Sequence, residues 1–175
     1  MDGTLELNDA GLMFGLHDGH EARLARLDGD SPESPGMAFS DGHRHLVGLA
    51  AEQQVCLMPK QVTDRFWSEF SNKPCGLPGA DRITFASFAK LHLKQILEQV
   101  SPVPSRLAFA APGHFDPERV ALLAGLAARF EKPLAGIYDM AVVAAHAWYT
   151  AEKPEHRSAL VIDTFLHATH VTLTS

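Results

Sequence analysis

The chain has 175 residues, 46% of them apolar, enough to bury a core as one domain or as a domain with a small appended subdomain. Its formal charge of -6 argues against nucleic-acid and acidic-membrane partners, which need clustered cations to neutralise phosphate or headgroup charge. No N-terminal stretch has the basic-then-apolar form of a signal peptide, and no apolar run reaches the roughly 18 residues of a membrane span, so a soluble cytoplasmic protein is expected.

Leu12–Leu16 and Ala22–Leu27 read as two strands joined by His17-Asp18-Gly19-His20, a turn whose glycine can take positive φ. Arg23 and Arg26 alternate with apolar residues at strand period and are expected on the solvated face of an outer strand. Asp28–Gly36 is a polar loop. Met37–Phe39 and His45–Gly48 form short strands around the hairpin signal Asp41-Gly42, and Ala50–Met58 a short helix stopped by Pro59. Ser71–Asp81, rich in glycine and proline, is the candidate flexible joint. Cys56 and Cys75 have no metal-type or redox-type spacing, and nothing forces a disulfide between them.

Thr84 caps a long helix that places Phe85, Phe88, Ala89, Leu93, Ile96, Leu97 and Val100 on one stripe, which is a core face. Leu107–Ala111 is a strand closed by Pro112-Gly113. Asp116 then sits at an N-cap, Pro117 at the first helical position and Glu118 in the first turn. Val120, Leu123, Ala124, Ala127 and Phe130 recur at helical spacing, so this helix buries one face. A second strand, Leu134–Tyr138, leads into Asp139 and an alanine-rich helix, and Ala159–Leu173 reads as a terminal hairpin. His92 and His146 sit on predicted helices as surface or satisfied core residues.

The stretch RLAFAAPGHFDPERV…PLAGIYDMAVVAA resembles the V-P-A-Y-F-N-x-x-Q-R and N-E-P-T-A-A-A passages of the DnaK-like, seventy-kilodalton heat-shock chaperones. PGMAFSDGHRHLVGLAAEQQVCLMP resembles that family's P-S-x-V-A-F-x-D-G-x-R-L-V-G-x-x-A-x-x-Q stretch, with Pro35, Ala38, Phe39, Asp41, Gly42, Val47, Gly48, Ala51, Gln54 and Pro59 in step. ALVIDTFLHATHVTLT resembles its V-L-V-F-D-L-G-G-G-T-F-D-V-S hairpin. The implied fold is α/β, an actin-like, ribonuclease-H-like mixed sheet flanked by helices with a small α/β cap subdomain. Residues 1–38 plus 101–158 would form the sheet-bearing subdomain and 39–100 the inserted cap. Residues 159–175 would be the start of a second lobe missing from the chain, and the strand-like VTLTS ending suggests a chain cut there.

The resemblance implies a nucleotide site between two hairpin turns whose glycines let backbone N–H groups approach phosphate. Its D-L-G-T-T turn aligns with His17–Glu21 and its D-L-G-G-G-T turn with Asp163–Ala168, so Gly19, His20, Asp139, Asp163 and His167 are the candidate nucleotide-binding residues. Glu21 replaces a hydroxyl, Phe165 and Leu166 replace glycines, and Trp67 falls near the lysine that positions the attacking water. Phosphoryl transfer rests on positioned charge, metal and water, so no catalytic residue is assigned.

The leading expectation is a non-hydrolysing interaction or regulatory module with protein partners, related to the chaperone ATPase lobe. The alternative is an ATP-binding chaperone whose second lobe lies outside the chain, the one case in which ATP and magnesium would be cofactors. A minority reading places a metal among His17, His20, His167 and His170 beside Asp18 and Asp163. A two-stranded hairpin is marginal alone in water, so Ala159–Leu173 is expected to pack on its own lobe or to exchange with another copy in a homodimer.

Overall fold

The computed structural model describes residues 1–152 and 158–174; 153–157, within the expected sheet-bearing unit, and Ser175, at the end of the VTLTS run, lie outside the described residues. A mixed sheet carries the chain. Strands β1 (Asp2–Glu6), β2 (Gly11–His17) and β3 (Ala22–Leu24) form an antiparallel meander, and β4 (Glu33–Pro35) also pairs with β2. On the other side of β1 lie β8 (Arg106–Ala111) and β9 (Leu134–Asp139), both parallel to it, giving the order β3-β2-β1-β8-β9.

Register explains the core. Leu5 sits opposite Phe14 on one side and Phe109 on the other, and Phe109 sits opposite Ile137, so one apolar row crosses four strands. Gly3, in the next row, lies beneath the Phe14 ring: a Cβ there would come 2.6 Å from Phe14 Cζ and 2.9 Å from Pro104 Cβ. Two helices bury their stripes on this side. They are α2 (Phe85–Gln99), whose Thr84 Oγ1 accepts the Ser87 N–H at 3.1 Å, and α3 (Pro117–Ala128), whose Asp116 Oδ1 accepts the Arg119 N–H at 2.9 Å. Strand pleating turns Ala108 and Ala110 to the other side, where α4 (Met140–Glu152) contacts β8 and β9 and buries Ala141 and Ala145. The result is mixed α/β, with helices on both faces of a mixed sheet.

A smaller sheet, β6-β5-β7, stands between the meander and α2. It comprises β5 (Ala38–Ser40), β6 (His45–Val47) and β7 (Val62–Thr63), with helix α1 (Leu49–Glu52) after β6. The 71–81 connector is pinned, with Leu77 and Ala80 buried and the Cys75 N–H donated to the Ile83 carbonyl at 2.9 Å. A separate two-stranded sheet, β10 (Ala159–Thr164) and β11 (Thr169–Thr174), contacts α4. Cys56 and Cys75 are both free. Among the described residues no helix is long and apolar enough to cross a membrane.

Three readings of the meander change. Asp2–Glu6 is a strand although DGTLE has little strand character, because it is paired on both sides. The polar 28–36 loop contains β4. Strand β3 ends at Leu24; beyond it Ala25 and Leu27 turn into the core while Arg23, exposed on this outer strand, donates to the Ser101 carbonyl at 3.1 Å.

One buried polar chain crosses these elements. The Trp67 Nε1–H donates to His92 Nδ1 at 3.2 Å, which leaves the His92 proton on Nε2, 2.7 Å from Ser34 Oγ. Ser34 donates onward to Asp28 Oδ2 at 2.6 Å. Burial holds the fully enclosed His92 down at about 4. Burial alone would raise Asp28, but hydrogen bonds from Ser34, Gln99, the Leu49 N–H and Gln95 outweigh it and lower that carboxyl.

Two predictions follow from this chain. Unfolded His92 takes a proton near 6.5 and the folded residue only near 4, so stability is complete above pH 6.5 and falls by about 3 kcal/mol between 6.5 and 4. Urea unfolding across that range will record the loss, and His92→Gln will flatten it. Gly48 has φ +63, and a Cβ there would lie 2.5 Å from Asp28 Oδ2 and 2.8 Å from Ser34 Oγ. Gly48→Ala will therefore cost about 1–3 kcal/mol in the same assay.

Candidate functional site

Strands β1, β8 and β9 run parallel, so their C-terminal ends open on one edge of the sheet, where ligand sites of α/β sheets form. Three segments meet there: the β1–β2 turn Leu7–Ala10, the Pro112-Gly113-His114 run after β8, and Asp139 at the end of β9. The β10–β11 turn closes over them. Leu166 donates its backbone N–H to Asp9 Oδ1 at 2.8 Å, and Phe165 donates its own to the Ala168 carbonyl at 2.8 Å. A cavity of about 400 Å³ opens between this junction and the 65–69 segment, lined by Asp9, Arg65, Trp67, His114, Phe165 and His167 among others.

Asp9 is only 3% exposed, and its Oδ2 has no hydrogen-bond partner. Beside it the rings of His114 and His170 stack with centroids 4.6 Å apart and planes 13° from parallel, and Phe165 meets both edge-on. His114 Nδ1 and His170 Nε2 also lack partners. Burial first, then His170 and Arg119, hold His114 below its ordinary value, so the neutral ring is favoured. His167 Nε2 lies 3.2 Å from Asp64 Oδ1, which ties the turn to the segment after β7.

The edge is otherwise acidic. Burial, Asp163 and Glu33 raise Glu6, while burial and Asp139 raise Asp163 against the opposing pull of His170. Asp139 has a structural task as well: its Oδ1 accepts the Ala141 N–H at 2.8 Å and so caps α4. Gly113 makes room for it, since a Cβ there would lie 2.7 Å from Asp139 Oδ2.

Of the five residues singled out in the sequence, Asp139, Asp163 and His167 gather at this edge, and Gly19 and His20 do not. Their turn lies at the other end of β2, about 20 Å along the strand, exposed, with Gly19 at φ +106 and open space around it. Glu21 belongs to the same distant turn, where Asp18 Oδ1 accepts its N–H at 3.0 Å. The cause is the unread strand β1: once it precedes β2, the turn facing β10–β11 is Leu7–Ala10. The proposed union of His17 and His20 with His167 and His170 fails for the same reason, and among the described residues no group of three or more His, Cys, Asp or Glu could hold a metal ion.

Sequence reading missed Asp9, His114 and Glu6. The run Glu6-Leu7-Asn8-Asp9-Ala10-Gly11 carried the turn signal that would have found the first and last of these. His114 stood in the run after Ala111 without a pattern to mark it. Trp67 is buried and donates to His92 while forming a wall of the cavity. His92 is the satisfied core residue expected, and His146 is exposed on α4.

Chemically, the N–H groups of the β10–β11 turn at Phe165 and Leu166 are already taken by acceptors of the chain itself. The cavity offers mixed charge in Asp9, Glu69, Arg65 and Arg119, with Arg65 directed to Glu69 Oε1 at 3.3 Å. Compared with known protein families and with curated proteins, the chain matches no family model and no curated sequence.

Proposed function

We propose that the chain is a non-hydrolysing lobe of actin-like, ribonuclease-H-like architecture, of the DnaK-type branch, working as a protein-interaction module. A three-strand meander followed by two strands parallel to its first member, with α3 crossing between β8 and β9, supports the architecture. Two hairpin turns meeting at the C-terminal strand ends support the branch. The D-L-G-T-T turn then falls on Glu6–Ala10 rather than on His17–Glu21, while D-L-G-G-G-T stays on Asp163–Ala168.

One observation carries the non-hydrolysing reading: the Leu166 N–H is bonded to the buried Asp9 carboxylate. A carboxylate of the chain stands where the backbone would have to receive a phosphate. A second anion there would face the buried Asp9 carboxylate, and like charges repel strongly where water is scarce. Phe165 and Leu166 add side chains where bare backbone is needed. ATP and magnesium do not fit these residues, and no step of phosphoryl transfer is derived through them.

Titration with a fluorescent ATP analogue and magnesium will give no saturable binding below roughly 100 µM, and phosphate release will equal the buffer blank. Micromolar binding with turnover would overturn the reading. Asp9→Ala will remove the bond to Leu166 and lower stability by about 1–3 kcal/mol in urea unfolding without creating ATPase activity.

A further inference from the structure

Two buried acceptors share the cavity, and among the described residues no donor serves them. Asp9, 3% exposed, uses Oδ1 to accept the Leu166 N–H at 2.8 Å, while its Oδ2 has no hydrogen-bond partner. His114 lines the same cavity, close enough for the Asp9 charge to act on its ring. That ring is hydrogen-bonded to the Ser68 backbone, where only the carbonyl can accept, and its buried Nδ1 has no partner. The proton therefore sits on Nε2, and Nδ1 presents a bare lone pair. Burial first, and then His170 and Arg119, keep the ring neutral.

A carboxylate oxygen and an imidazole lone pair cannot satisfy each other, and withdrawn from water both call for a donor. A metal ion is not the missing group, because among the described residues no three His, Cys, Asp or Glu come together to ligate one. The cations on the wall are turned elsewhere. Arg65 is directed to Glu69 Oε1 at 3.3 Å, and the Arg119 guanidinium lies over the Phe115 ring, 5.7 Å from its centroid. Trp67, Phe165 and Leu7 supply apolar lining, and about 400 Å³ is within the range of small-molecule sites.

We propose that this cavity binds a small organic amine in its ammonium form, with the –NH₃⁺ group donating to Asp9 Oδ2 and His114 Nδ1 and the carbon chain lying against Trp67 and Phe165. Three N–H donors on one nitrogen serve both acceptors at once, which a hydroxyl with a single donor cannot do. Charge acts in the same sense: the carboxylate that repels an anion attracts a cation, strongly where water is scarce. The aromatic rings add cation–π attraction. Arg119, on the same wall, opposes a second positive charge, so a monoamine is preferred to a diamine of equal length. The proposal does not rest on the non-hydrolysing reading, since amine binding is scored without nucleotide.

Titration of the whole isotope-labelled chain with n-butylamine at about pH 7, followed by proton–nitrogen NMR, tests this. The Phe165 and Leu166 amides should shift and saturate with a dissociation constant of roughly 0.1–3 mM, the scale for so small a ligand. n-Butanol, of the same length but uncharged, should bind at least tenfold more weakly, and the diamine of that length several-fold more weakly. Asp9→Asn keeps an acceptor for the Leu166 N–H but sets an N–H₂ donor in place of Oδ2, and should weaken amine binding at least tenfold. His114→Phe keeps a ring and removes the lone pair, and should weaken it about threefold or more. It carries the test where urea unfolding shows that Asp9→Asn has not folded. No saturable shift at Phe165 and Leu166 up to about 50 mM amine would mean that water serves the two acceptors, and overturns the proposal. Shifts that butanol reproduces overturn it too, by making the cavity an apolar hole without charge selection. So does binding unchanged in both variants, which would place the amine on other carboxylates.

Discussion

The Asp28 carboxylate, with φ +37 at its own backbone, receives hydrogen bonds from Ser34 Oγ, the Leu49 N–H and the amides of Gln95 and Gln99. It thereby joins β4, the start of α1 and two turns of α2, and β4 and α2 are tied a second time through Ser34 and His92. Through Ser34 and His92 the same chain reaches Trp67, a wall of the cavity. Asp28 is half-buried, and a carboxylate withdrawn from water even in part is costly unless its acceptors are filled, as they are here. Removing Ser34, His92 or Trp67, all fully buried, would leave a buried donor or acceptor unpaired, so this part of the chain couples β4, α2 and the 65–69 segment.

Asp9 uses the same chemistry less completely. It accepts one backbone N–H from a residue 157 positions away, and its second oxygen has no partner. A single bond of this kind stabilises by about 1 kcal/mol, more when the acceptor is charged. It is helped by Phe165, buried against His114 and His170. Packing and the ionic hydrogen bond act at the same turn, so the closed junction is over-determined. An incoming anion would have to break the bond, displace the ring and sit beside the Asp9 carboxylate.

Elements with their own local signals were legible in the sequence. Thr84 and Asp116 mark helix starts that the structure reproduces, because a cap acts within three residues. The alternation of β10 and β11 was legible for the same reason. Asp2–Glu6 was not, since its conformation is imposed by β2 and β8 rather than by its residues, and β4 hides in a run of Asp, Ser, Pro and Gly for the same cause. The site followed the fold in its error. Asp139, Asp163 and His167 lie at the C-terminal strand ends because their own strands were read, and Gly19 and His20 lie at the other end of the meander because β1 was not. Asp9 and His114 become visible as site residues only through their partners on distant segments.

The hairpin links these two themes. Side chains alternate across a strand, so the residues that anchor β10–β11 inward, Asp163 and His170, oblige Ile162, Val171, Leu160 and Leu173 to point outward. Phe165 at the turn, together with His170 of β11, packs the hairpin against His114. A glycine at position 165 would lose this packing. The Phe165 ring therefore steadies the ribbon that carries Leu160, Ile162, Val171 and Leu173 at the surface.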